Sequence, residues 1–283
     1  MTRTRTRRAP AIAIPAVAAT LLLAACGSGG TPSPTVPLAT ATPPPAGIPS
    51  SSGGPTATTA PRVLVRIYLT RAGELAAAHR SVVAAGAEQG AVDALLAGTT
   101  PAEQAAGITT AIPGGIALVD LTTAGQTATA TLSAAFFSGS SAQVQLREAQ
   151  VTYTLTQSST ITAVRFAGAG ATASTPRSRN DFAQFLPAIF VEQPAFADDV
   201  HSPLHVAGSA DVYEAQFVLE LHDSTGRLLS TQAVHATSGT GTRGTFDATV
   251  VFTATGSATL VAYERSPENG QPIYTQTIPV TLD

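Results

Sequence analysis

The sequence predicts an α+β domain of order ββαββαβ over residues 62–167, with helices on one face of a sheet, and an all-β sandwich over residues 185–283. Three observations carry this. Residues 62–167 mix two-residue apolar alternation with helical three- and four-residue spacing. Beyond residue 185 only strand-like segments occur. The intervening residues, 168–184, are poor in large apolar side chains and rich in Gly, Thr, Ser and Pro, the composition of a linker.

Along the chain, residues 1–8 hold four arginines and no acid, and a seventeen-residue apolar stretch, 9–25, follows. These are the charged and hydrophobic regions of a signal peptide, here residues 1–25. Pro10 and Pro15 interrupt the stretch, and it falls short of the roughly 20 residues of a spanning helix. Leu23-Ala24-Ala25-Cys26 looks like a bacterial lipobox, in which small residues admit the peptidase and the Cys26 thiol receives the lipid. Arg7-Arg8 leaves both general and twin-arginine export open. Residues 26–61 then carry nine prolines and no charge, so this segment cannot bury enough surface to fold and reads as a disordered stalk with a reach of roughly 100 Å.

Val63, Val65 and Ile67 alternate with Leu64, Arg66 and Tyr68, and a turn at Ala72-Gly73 leads to a second strand over 74–83. A helix is expected over 88–97, with Val92, Leu95 and Leu96 on one face. Thr100-Pro101-Ala102-Glu103 is a capping box with Pro at the first helical position, so a short second helix follows. Strands are expected over 116–122 and 127–132, a helix over 140–156 from Val144, Val151 and Leu155, and a strand over 161–166. Seven strands fill 188–282. In the longest, 212–222, Tyr213, Phe217, Leu219 and Leu221 face inward and Glu214, Gln216, Glu220 and His222 outward. Such a linker makes the two domains independent, with proteolysis cutting first after Arg177 or Arg179.

Cys26 is the chain's one cysteine, so no intrachain disulfide forms. Lysine is absent, and of 15 basic residues four lie in the leader. The remaining 11 arginines face 18 acids, a net charge of −7 once the leader is removed. Nucleic acid is a poor partner for that surface.

Chemistry is sparse. Gly239-Thr240-Gly241-Thr242-Arg243-Gly244 spells G-x-G-x-x-G, but a strand follows it where dinucleotide binding needs a helix N-terminus. His201 and His205 flank Ser202-Pro203 in extended chain, so no helical metal pair arises, and His79 lies apart from other ligands. No G-x-S-x-G occurs, and Asp198-Asp199 reads as a solvated turn. No catalytic residue, metal or cofactor is expected.

Ala94-Leu95-Leu96-Ala97-Gly98, Thr100-Pro101-Ala102-Glu103-Gln104-Ala105-Ala106-Gly107, Thr131-Leu132-Ser133-Ala134-Ala135-Phe136 and Ala149-Gln150-Val151-Thr152-Tyr153-Thr154-Leu155-Thr156 resemble the GerMN (sporulation and spore germination) domain. The family often has Gly-Pro where Gly98-Thr99-Thr100-Pro101 stands. Leu186-Pro187-Ala188-Ile189-Phe190-Val191-Glu192, Ser202-Pro203-Leu204-His205-Val206-Ala207-Gly208 and Pro279-Val280-Thr281-Leu282 are similar to the immunoglobulin-like domain of bacterial spore germination. The resemblance implies an immunoglobulin-like sandwich and an envelope assembly or ligand-contact role, without implying that the organism sporulates.

Arg80 sits where the GerMN pattern commonly has an arginine. It is a candidate for holding an anionic group or a neighbouring chain, the alternative being a surface pair with Glu74 or Glu88. Glu214 is a candidate rim contact, the alternative being a solvated strand face. The expected function is a lipoprotein anchored through Cys26 to the extracytoplasmic face of the cell membrane. There it binds an envelope protein or cell-wall polymer without catalysis, and an oligomer is compatible with this. An envelope hydrolase with a non-standard site, or a solute-binding lipoprotein, are the alternatives.

Overall fold

The computed structural model describes residues 60–283. The expected signal peptide, the lipobox with Cys26 and nearly all of the stalk lie outside the described residues.

The first strands, β1 (Arg62–Arg71) and β2 (Glu74–Val83), form a hairpin with Arg71 opposite Glu74 and Arg62 opposite Val83. Its two-residue turn puts Ala72 and Gly73 at φ of 53° and 86°, the left-handed geometry that matches the twist of paired strands. The helix α1 (Ala87–Leu96) buries Ala91, Val92 and Leu95. The predicted capping box opens α2 (Pro101–Ala105): Thr100 Oγ1 accepts from the Glu103 amide at 3.3 Å, and the Glu103 carboxylate accepts from the Thr100 amide at 2.7 Å.

A two-residue strand, β3 (Ile108–Thr109), joins β1 to complete the sheet β2-β1-β3. A second sheet holds β4 (Leu118–Ala124), β5 (Thr127–Leu132) and β6 (Ala163–Gly168) in that order. The strands β5 and β6 are parallel, and α3 (Ser141–Leu155) makes the crossover between them. The expected single sheet is therefore two three-stranded sheets. The division falls where Pro113-Gly114-Gly115 turns the chain after a strand only two residues long.

Because β3 covers only Thr70 and Arg71, the rest of that β1 edge needs other hydrogen-bond partners. Polar side chains from α3 and its end supply them. Thr154 Oγ1 accepts from the Tyr68 amide at 3.1 Å, Gln150 Nε2 donates to the Tyr68 carbonyl at 2.9 Å, and Gln157 Oε1 accepts from the Arg66 amide at 2.6 Å. This explains why Gln150 and Thr154 are buried in a helix whose apolar stripe alone would have covered the core.

The second domain packs two sheets. One has the order β12-β9-β7, from β7 (Ile189–Gln193), β9 (Leu204–Ala210) and β12 (Gly244–Val250). The other has the order β11-β10-β13-β14-β8, from β8 (Asp198–Val200), β10 (Gln216–Asp223), β11 (Leu228–His235), β13 (Gly256–Arg265) and β14 (Pro272–Leu282). Strict alternation in β12 and β10 sends Phe246, Phe217, Leu219 and Leu221 into one core, where the rings of Phe217 and Phe246 meet edge to face at 4.8 Å.

Two sequence expectations are corrected here. The strand expected over 212–222 starts only at Gln216, because Glu214 and Ala215 take left-handed φ of 51° and 58°. Tyr213 is consequently 51% exposed and does not face inward. The three-residue strand β8 is new, pairing in parallel with β14 through Val280, Thr281 and Leu282.

The segment read as a linker between independent domains is packed. Arg177 exchanges backbone hydrogen bonds with Val164 at 2.8 Å, and residues 179–185 wind into a 3-10 turn that buries Phe182 completely. Phe182 and Leu186 sit in one apolar cluster with Tyr68, Leu75 and Tyr153 of the first domain and Phe190 and Ala195 of the second. The expectation of independent domains gives way to a shared core, seeded by one aromatic residue in an otherwise polar run.

Candidate interdomain binding cleft

Polar contacts reinforce this junction. The Tyr68 hydroxyl donates to Glu192 Oε1, and Arg179 reaches Glu192 Oε1 at 2.8 Å while its guanidinium lies 4.6 Å from the Tyr153 ring centre. Burial, and then the negative charge of Glu192, push the Tyr68 hydroxyl up to about 12, so it stays a donor at neutral pH. Arg71 donates to the Thr277 carbonyl at 2.8 Å, and the Phe196 amide to the Ala77 carbonyl at 3.2 Å.

Beside the junction lies a cleft of about 770 Å³ lined by both domains, by residues of β2 and α2 on one side and of the 193–205 segment on the other. Two side-chain pairs build its walls. His79 Nδ1 and Asp198 Oδ1 are 2.7 Å apart, linking the two domains, and Asp198 Oδ2 also accepts from the Ala195 amide at 2.8 Å. Arg80 grips Glu103 with both terminal nitrogens, each at 2.7 Å from a carboxylate oxygen. Glu103 is 2% exposed. Burial pushes its carboxyl up, but the Arg80 and Thr100 hydrogen bonds outweigh that and hold it below the ordinary glutamate range.

The sequence singled out Arg80 as a candidate contact; the structure places it on this cleft's wall and supplies its partner. The partner is neither Glu74 nor Glu88 but Glu103, the capping-box residue, so much of the guanidinium's bonding capacity is used within the domain. Glu214 does not belong to this cleft; it stands exposed at a left-handed turn on the second domain. His79 and Asp198 were missed as a pair because 119 residues separate them, and Asp198 lies in β8 instead of a solvated turn. His201 and His205 both reach the cleft, His205 bonded to Asp247 at 2.8 Å. The Gly239-to-Gly244 run leads into β12, with no helix at hand to receive a pyrophosphate.

Among the described residues no helix is long and apolar enough to cross a membrane, and no group of three or more His, Cys, Asp or Glu is placed to hold a metal ion.

Comparison with known proteins agrees with the two-part reading. Residues 64–174 match the family model described as "Sporulation and spore germination", and residues 188–271 match that of the "Immunoglobulin-like domain of bacterial spore germination". No curated protein matches the chain. Among solved structures, the first GerMN domain of the sporulation protein GerM from Bacillus subtilis is 22% identical, with a TM-score of 0.33, over 42% of this chain and 99% of that one. The tandem GerMN domains of the same protein are 17% identical, with a TM-score of 0.35, over 61% and 60%. A Clostridium perfringens protein described as a lipoprotein is 16% identical, with a TM-score of 0.31, over 44% and 93%. By the two family models, residues 64–174 are a domain of the sporulation and spore germination family, and residues 188–271 an immunoglobulin-like domain of bacterial spore germination.

Proposed function

We propose that the chain is a lipoprotein tethered through Cys26 at the extracytoplasmic face of the membrane, and that its fused domains bind an envelope protein or cell-wall polymer in the cleft between them without catalysis. The observation that carries this reading is the cleft itself: about 770 Å³, shared by both domains, with walls held by the His79–Asp198 hydrogen bond and the Arg80–Glu103 ion pair. Residues fixed in pairs on packed elements make a preformed contact surface, which lowers the ordering cost of association. The lipobox and stalk supply the tether in this reading, and the domain families are those of sporulation and germination proteins.

The tether has its own test. Cells fed an alkyne fatty acid should label the parent chain and leave Cys26→Ala unlabelled, because no other thiol is present to receive lipid. Equal labelling of the two would remove the anchor from the account. The binding half is tested by crosslinking from the cleft rim in intact cells.

A further inference from the structure

A second pocket, of about 380 Å³, opens on the sandwich where the Tyr213-to-Ala215 turn enters β10 and β13 ends. Its lining includes Tyr213, Glu214, Phe217, Glu264 and Pro267. In β13 residues 258, 260, 262 and 264 alternate to one face. Three of them, Ala258, Leu260 and Ala262, are core residues. The fourth is a glutamate. Glu264 is only 4% exposed, its Oε2 accepts no hydrogen bond, and it forms no ion pair among the described residues.

A buried carboxylate without a partner is unfavourable unless a cation reaches it. Arg265 lines the same pocket but turns its guanidinium to Tyr263, 3.0 Å from the hydroxyl and 5.4 Å from the ring centre. The left-handed backbone at Glu214 and Ala215 lifts Tyr213 out of the core row and leaves its ring half exposed at the pocket wall, with Glu214 exposed at the rim. An unpaired inner carboxylate, a second carboxylate at the rim, an accessible aromatic ring and apolar walls from Phe217 and Pro267 fit a cation carried on an aliphatic stem. Since the chain contains no lysine, no side-chain ammonium of its own can fill the pocket.

We propose that this pocket binds a primary alkylammonium group from another molecule, with Glu264 as the inner acceptor, Glu214 at the rim and Tyr213 against the stem.

The test titrates the full chain with Nα-acetyl-lysinamide and with Nα-acetyl-norleucinamide, which keeps the stem and lacks the charge. The lysine probe should bind at least about tenfold more tightly than the norleucine probe, and Glu264→Gln should erase that difference, as loss of a charged hydrogen bond does. Without probe, Glu264→Gln should melt no lower than the parent, since the side chain keeps its shape and Oε2 accepts no hydrogen bond that would be lost. No binding of the lysine probe, equal binding of the two probes, or an unchanged preference in Glu264→Gln would overturn the proposal. Should Glu264→Gln fail to fold, the exposed substitution Tyr213→Ala decides: a loss of roughly threefold or more supports the site, and unchanged binding overturns it.

Discussion

Replacing Phe182 by Ala is expected to lower stability by about 3–5 kcal/mol, the usual cost of emptying a buried aromatic site, and to split a single unfolding transition into two. Phe182 is completely buried in the cluster that joins Tyr68, Leu75 and Tyr153 to Phe190 and Ala195. Its loss leaves a cavity at the junction and removes the ring over which the Arg177 guanidinium lies, 4.6 Å from its centre. Trypsin reports the same change. In the parent, Arg177 is held by its backbone bonds to Val164 and Arg179 by Glu192 and Tyr68, so both bonds should resist cleavage. In Phe182→Ala they should become the first sites cut. Differential scanning calorimetry with timed digestion checks both, and an unchanged melt with parental cleavage would show that the junction does not depend on this ring.

The second large effect is at Arg80. Arg80→Ala should cost about 3 kcal/mol, because it leaves the buried Glu103 carboxylate without its bidentate partner. An exposed arginine would cost only a few tenths. The pH dependence has a definite sign. The folded Glu103 carboxyl lies below its ordinary value, so the stability it contributes is present above the ordinary glutamate value of about 4.3 and disappears as pH falls through the lower folded value. Parent and variant should therefore differ most at neutral pH and converge in acid. Urea denaturation at pH 7 and pH 3 measures this, and a gap that persists undiminished at pH 3 would assign the loss to packing of the arginine stem.

Local chemistry made part of this fold legible. The Ala72-Gly73 turn set the register of the first hairpin, Thr100 and Glu103 announced a helix start, and the alternation of residues 127–132 identified a half-buried strand, because each signal acts over a few residues. What was not legible depends on contacts far apart in sequence. Glu103 satisfies its local cap and also holds Arg80, 23 residues away, and nothing in Thr-Pro-Ala-Glu discloses the second duty. The stripe of Val144, Val151 and Leu155 gives a helix but no sign that Gln150 and Thr154 beside it serve the uncovered edge of β1. Phe182, alone in a polar segment, carried too little periodicity to predict a packed junction. At Tyr213 alternation misled, since two non-glycine residues in left-handed conformation break a pattern that side-chain type alone continues.

Crosslinking from the cleft in intact cells tests the binding account most directly. A photoreactive amino acid at His201, exposed on the cleft, should give adducts of discrete mass in the membrane fraction, identifiable by mass spectrometry as protein or cell-wall fragments. The same group at Val119, exposed on β4 and outside the cleft, should give none of them. Filling the cleft with Ala102→Trp should reduce the His201 adducts while leaving thermal stability within a few tenths of a kcal/mol of the parent. Absence of adducts from His201, or the same adducts from Val119, would contradict a binding role for the space between the domains.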